Sequence, residues 1–369
     1  MKILYIANIR LPTEKAHGAQ VIKMCEAFAD RGAQVLLVVP NRRTAIRESP
    51  WIYYGAKQNF DIKRLFVIDT IGWGKIGFYV ESLSFSLAAA FYVATQKYDV
   101  LFGRDEMVLS IARLFGAKRI IWESHTGAWN FFAKKTAAFS EKIITITQGL
   151  KDLYIAKGVA EEKIFVAHDG VDLSTFAHSE TKPVSRRRLG LKEHDKVALY
   201  VGRLDGWKGT ETLYAASAHL KGSVSVVVIG GEPSEVISAK KHHPHINFLG
   251  FYPYRELADN LAAGDVLVLP NTGKDRISMK YTSPLKLFAY MASGVPIVAS
   301  DLPSIREILN ETNSLLIPAD NPRALADAVM ALVEDQELGD RLGAQAKNDV
   351  LKYTWNKRAE SILDKILPS

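Results

Sequence analysis

Two doubly wound parallel α/β sheets in series is the fold class this sequence predicts, and three observations predict it. Short runs rich in Ile, Val and Leu alternate with amphipathic helical patterns from the first residues onward. The alternation breaks once, in a polar stretch near the middle, and then restarts. The length of 369 residues exceeds what one hydrophobic core usually supports, so two domains of about 170 to 190 residues are the natural partition.

In the first half, strands are expected at residues 3–7, 34–39, 100–102, 119–122, 142–146 and 163–167, with helices at 18–31 and 77–97. Residues 173–195 are polar and irregular, include Arg186, Arg187 and Arg188, and read as a linker. Strands resume at 197–201, 225–229, 246–249, 266–269, 295–299 and 314–317, and the chain ends in helices at 322–334, 337–351 and 354–367. The domains are thus expected at 1–172, joined by the helix at 354–369, and at 190–353. Each doubly wound sheet implies a ligand crevice at the carboxyl ends of its strands.

Composition narrows the class. Cys25 is the one cysteine, so no intrachain disulfide can form, and a reducing cytosol fits. The apolar run at 3–7 is too short for a signal-peptide core and reads as a first strand. The longest apolar stretch, 78–95, contains Glu81 and several Ser, and reads as a buried amphipathic helix rather than a membrane span. Formal charge is +7, and the excess lies wholly in residues 1–170, with 23 Lys and Arg against 16 Asp and Glu; residues 171–369 hold 24 of each. A basic face suits nucleic acid, anionic lipid or an acidic substrate. No nucleic-acid-binding motif is found, so a nucleic-acid partner is not expected.

The segment SPLKLFAYMASGVPIVASDLP, residues 283–303, reads as a helix start, a short helix, a Gly turn and a buried strand. Ser283 is a candidate N-cap, Pro284 suits the first helical position, and Gly294 stops the helix. A helix start offers unpaired N–H groups and a partial positive charge, which suits a phosphate. Arg203 and Lys208, in VGRLDGWKG after the strand at 197–201, are cations at a strand's carboxyl end that can neutralise a diphosphate without metal. His125 follows the strand at 119–122, where its imidazole can meet a sugar hydroxyl or a developing charge, with Glu123 as a neighbour. Gly18 closes a long first βα loop, either for backbone approach to a substrate or as a plain glycine at a helix start.

Several chemistries are not supported. The first loop lacks G-x-G-x-x-G and an acidic residue near Val39, which disfavours a dinucleotide enzyme. The chain has no D-x-D triplet and no His, Cys or carboxylate cluster at metal-ligand spacing, so no metal site is expected. P-loop, G-x-S-x-G and kinase signatures are absent.

Taken together, ILYIANIRLPTEKAHGAQ, His125, HDGVD at 168–172, VGRLDGWKG, AAGDVLVLPN at 262–271 and the SPLK segment make the chain resemble family 4 glycosyltransferases of the GT-B fold over nearly its full length. The resemblance implies two Rossmann-like domains facing a central cleft. It also implies an acceptor bound mainly by the first, a nucleotide-sugar donor bound mainly by the second, and a terminal helix returning to the first. Arg203 and Lys208 match the pair that faces the donor diphosphate, and His125 the histidine near the transferred sugar. Gly18 matches the first-loop glycine, and the backbone at Pro284, Leu285 and Lys286 the segment nearest the phosphate and sugar. Such enzymes retain anomeric configuration and need no cofactor.

The chain departs from the family at two positions, where Tyr281 and Ala289 stand for glutamates, the second of which contacts the donor ribose. Losing a charged hydrogen bond there corresponds to about 1.5–3 kcal/mol. Glu307 is near in sequence, as a substitute or as a local helix cap.

The reading is a retaining, cytosolic glycosyltransferase acting on a glycan or lipid-linked acceptor in cell-surface polysaccharide or glycolipid synthesis. Trp129, Phe131 and Phe132, with the basic first half, suggest peripheral attachment to an anionic membrane. Ala289 motivates an alternative, a catalytically weakened donor-binding or partner subunit. A nucleotide-sugar epimerase shares the fold but calls for acid/base carboxylates, of which Glu123 is the sole hint.

Overall fold

The computed structural model describes residues 1–367, and the chain divides into two units. One comprises Met1–His168 together with the segment from Trp355 onward, the other Asp169–Thr354. Residues 368 and 369, the end of the segment expected to return to the first domain, lie outside the described residues.

The first unit holds seven parallel strands: β1 Lys2–Ile6, β2 Gln34–Pro40, β3 Asp61–Leu65, β4 Val100–Gly103, β5 Ile120–Ser124, β6 Lys142–Thr145 and β7 Ile164–Val166. Their order is β3-β2-β1-β4-β5-β6-β7, so the chain reverses direction across the sheet between β1 and β4. Helices cover both faces, and interior strands such as β1 and β4 are therefore apolar almost throughout rather than alternating. Edge strand β3, DIKRL, was not predicted. It pairs with β2 alone and stays largely solvent-accessible, so it carries charges and no apolar run.

The second unit holds six parallel strands: β8 Val197–Val201, β9 Ser225–Ile229, β10 Asn247–Gly250, β11 Val266–Leu269, β12 Ile297–Ser300 and β13 Leu315–Ile317. Their order is β10-β9-β8-β11-β12-β13, with the reversal between β8 and β11. One face packs under helix Leu285–Ser293 through Leu287, Phe288 and Met291. The other packs under helices Thr210–Leu220 and Pro322–Glu334 through Leu213, Leu325 and Val329.

Residues 169–189, read above partly as linker, belong to the second unit and fold as helices Ser174–Ala177 and Lys182–Arg188. The arginine run that made the stretch look solvated is what fastens it. Arg186 is buried and donates to Ala263 O at 3.0 Å and Asp265 Oδ2 at 2.7 Å, while Arg188 donates to Asn260 Oδ1 at 2.9 Å.

The helix predicted to start with Ser283 as N-cap instead begins at Leu285, with extended Pro284 in the cap position and no side-chain cap. Ser283 is buried, and its Oγ accepts the Asp169 N–H at 3.4 Å. Gly294 ends the helix as predicted, in the left-handed region at φ 74°.

Candidate active site

In the first unit, the carboxyl ends of β4 and β5 gather a buried charged network. Glu123, fully buried near the end of β5, accepts from Gln20 Nε2 at 2.7 Å and from Arg358 Nη1 at 3.4 Å, and it contacts His125 Nε2. Arg104, directly after β4, donates to Gln20 Oε1 at 2.7 Å. Burial opposes ionisation of Glu123, but Arg358 and His125 outweigh it and hold the carboxyl well below its usual range. Burial, then Arg104, lowers His125 to about 4 against the pull of Glu123. His125 is therefore neutral at pH 7. Because a carboxylate only accepts, the imidazole proton sits on Nε2, and Nδ1 is left as an acceptor for a hydroxyl.

Arg358 reaches this network from helix Trp355–Ile366, which packs against helix Ala16–Asp30 and pairs Glu360 with Arg31 at 2.8 Å. The guanidinium also donates to His168 O at 2.9 Å and Ala167 O at 3.2 Å. The terminal helix thus supplies the cation that neutralises Glu123. Sequence reasoning paired His125 with Glu123 but missed Gln20, Arg104 and Arg358. Arg104 was findable, since it follows a predicted strand as directly as Arg203 does.

Gly18 lies in the first turn of helix Ala16–Asp30. A Cβ there would stand 2.2 Å from Tyr54 Oη. That hydroxyl accepts the Thr13 N–H at 2.8 Å and donates to Thr13 O at 2.9 Å. The room left by the missing side chain is taken by Tyr54, which ties down the first loop.

In the second unit the chain leaves β8 through Gly202, Arg203 and a 3-10 turn, Gly206–Lys208. Gly209 follows in the left-handed region, where a Cβ would stand 1.7 Å from Pro270 O. Arg203 is about half exposed and pairs with Asp205 at 3.1 Å. Lys208 Nζ lies 3.5 Å from the centroid of the Trp207 ring. Burial, reinforced by Arg203, lowers the Lys208 amine to about 8 against Asp205.

Lys286, one residue into helix Leu285–Ser293, has its Nζ shielded from solvent, 3.7 Å from the Tyr200 ring and without a hydrogen-bond partner. A Cβ on Gly202 would stand 2.8 Å from that Nζ, so Lys286 fills the space between the β8 loop and the helix start. Burial, then Lys208, pushes its pKa well below the usual lysine range. Two further buried polar atoms, Asn271 Oδ1 after β11 and Ser300 Oγ at the end of β12, also lack partners.

The helix's first turn carries no acidic residue. Leu285 and Lys286 occupy its first two positions, and Pro284 O accepts the Leu287 N–H at 2.8 Å. Ala289 is buried in the same core cluster as Phe288 and Met291 and presents no polar group. Tyr281 closes a π-helical turn, and Glu307 stands at the C-cap of the short helix Pro303–Arg306. Among the described residues, no three His, Cys, Asp or Glu side chains form a group that could hold a metal ion.

The chain matches the family models of Glycosyltransferase Family 4 at residues 18–175 and Glycosyl transferases group 1 at residues 195–335. It is 28% identical over 253 residues to D-inositol 3-phosphate glycosyltransferase of Xylanimonas cellulosilytica, covering 63% of this chain and 58% of that protein. It is also 28% identical over 211 residues to the putative teichuronic acid biosynthesis glycosyltransferase TuaC of Bacillus subtilis, covering 57% and 51%. The chain thus spans about half the length of the curated relatives it matches. Among solved structures it resembles Anabaena Alr3699/HepE in complex with UDP and glucose, with a TM-score of 0.77 and 17% identity over 99% of both chains. Sucrose-phosphate synthase from Thermosynechococcus elongatus gives a TM-score of 0.75 at 18% identity over 99% and 98%. With two Rossmann-like units, motifs at the strand ends and family models matching both halves, the chain belongs to the family 4 glycosyltransferases and has the GT-B fold.

Proposed function

We propose that this protein transfers a sugar from a nucleotide-diphosphate donor to a hydroxyl of a glycan or lipid-linked acceptor on the cytosolic side, with retention of configuration. The observation that carries this reading is the carboxyl edge of the second sheet. Arg203, Lys208 and Lys286 stand around Gly202 and an uncapped helix start, and Lys286 has no hydrogen-bond partner of its own. Such a place suits the charge that develops when the bond from the sugar's anomeric carbon to the diphosphate breaks. The new bond forms from the anomeric carbon to the acceptor oxygen, and the acceptor proton passes to the departing phosphate. The chain's residues position and neutralise rather than attack. His125, neutral and accepting at Nδ1, is suited to hold a sugar hydroxyl.

The test is a thermal-shift screen of nucleotide sugars followed by turnover of the best ligand. A donor at 100 times its dissociation constant adds about 2.7 kcal/mol of stability. Absence of any stabilising nucleotide sugar overturns the reading. Ala289 favours a second reading, a donor-binding subunit with weakened catalysis, because the helix offers no carboxylate for a ribose. Donor turnover by the wild type that Arg203→Ala abolishes eliminates it.

A further inference from the structure

Helix Gly74–Thr95 is apolar on both sides. The sequence predicts a buried amphipathic helix here; its inward residues combine Phe85, Ala89, Ala90 and Val93 with the polar Glu81, Ser82 and Ser86, while its outward face is apolar as well. Asn8 Nδ2 donates to Glu81 Oε2 at 3.3 Å, and Ser84 Oγ accepts the Ile68 N–H at 3.1 Å. The outward face runs through Ile76 (76% exposed), Tyr79, Val80, Leu83, Leu87 and Phe91 (62% exposed). Steps of three to four residues place these on one stripe, roughly 23 Å long. Neighbouring segments extend it. Phe66 and Ile68 precede the helix, and Phe115 packs on Phe91 with ring centroids 4.9 Å apart.

By length and composition this helix could cross a membrane. Its hydrogen-bonded inner face excludes that, because Glu81 and Asn8 would have to leave the unit. A helix with one face anchored in a folded unit and the other apolar lies on a bilayer rather than across it. Charge decides what covers the face. The helix's single carboxylate, Glu81, is buried, and Lys75 is its one exposed charge. Asp69, on the preceding segment, is engaged by Arg42 at 3.5 Å and by the Arg43 N–H at 3.1 Å. Lys97 and Lys118 stand exposed toward the other end. A basic fringe around an apolar stripe attracts anionic headgroups and repels a second copy of itself. Trp73 and Tyr79 have the amphipathic rings that settle at headgroup level.

We propose that the outward face of helix Gly74–Thr95 seats this protein on an anionic lipid bilayer, with the helix lying in the interface plane. Of the aromatics singled out in the sequence, Trp129 packs on Tyr154 with ring centroids 5.6 Å apart and Phe132 is half-buried, so of that trio Phe131 alone is exposed.

The test is co-sedimentation with vesicles of phosphatidylcholine, alone or with phosphatidylglycerol, at low and high salt. Wild type and the double variant Leu83→Asp with Leu87→Asp are compared. Both leucines are exposed, so the variant should keep its circular dichroism spectrum and its donor turnover in solution. The expected result is wild-type binding to the anionic vesicles, weakened by salt and reduced at least about tenfold in the variant. Equal partitioning of the two proteins, or no wild-type binding to either vesicle, overturns the proposal. A wild-type dimer that the substitutions dissociate, with no vesicle binding, also overturns it and assigns the face to a second copy. Unchanged donor turnover separates any of these outcomes from a failure of sugar transfer.

Discussion

The carboxyl edges of the two sheets are built on the same plan and differ in how their charges are paired. In the first unit the buried charges are mutually satisfied, Glu123 being matched by Arg358, Gln20 and His125, with Arg104 on Gln20. In the second, Lys286 is shielded without a hydrogen-bond partner, and Arg203 and Lys208 have only Asp205 and aromatic faces. A paired network holds its shape before any ligand arrives. An unpaired cationic site gives up stability until an anion completes it.

The largest expected effect breaks the paired side. Glu123→Gln leaves Arg358 buried without its carboxylate and should cost about 3–5 kcal/mol in urea unfolding, with binding of the bare UDP or GDP by any surviving folded protein unchanged. Arg203→Ala should do the converse, lowering donor turnover by about 10²–10³-fold at unchanged melting temperature. If both variants lose stability alike, the two edges do not differ in kind.

Lys286→Met sharpens the comparison within one residue. Removing a shielded ammonium that lacks a hydrogen-bond partner should raise stability by about 1 kcal/mol or more, while UDP or GDP binding weakens about 10- to 150-fold and binding of the bare nucleoside does not change. Calorimetric titration of diphosphate and nucleoside reads this directly. A parallel loss of both would make Lys286 a packing residue.

The smallest effect is in pH. His125 is lowered to about 4 and His17 to about 3, in each case by burial first, and both lie in the first unit. A histidine with a depressed folded pKa binds its proton more readily unfolded, so its contribution is full above about 6.5 and is lost as pH falls toward 4. His125 keeps part of its ring exposed, which reduces its share to the order of 1 kcal/mol. Between pH 7 and pH 5 the hydrogen-exchange protection factors should therefore fall in the β1 and β4 peptides before the β8 and β11 peptides. Simultaneous loosening would place the acid sensitivity elsewhere.

How far the sequence carries depends on the range of the interaction. Strands β8, β9 and β11 are legible to the residue, because strands buried on both faces must be apolar runs between turns. Strand β3 is not, since an edge strand needs no such run. Arg203 and Lys208 are legible because a loop motif places them at a strand end. Arg358 is not: its partner Glu123 is 235 residues away, and nothing local marks an arginine on a terminal amphipathic helix as functional.

By itself the sequence determined the two parallel sheets, the cation pair and the family, because hydrophobic periodicity and turn chemistry are local properties of the chain. Tertiary structure alone decided which charges are paired, that residues 169–189 belong to the second unit, and that helix Gly74–Thr95 leaves an apolar face exposed. Each of those depends on burial, and burial is set by residues distant in the chain, which no local pattern encodes.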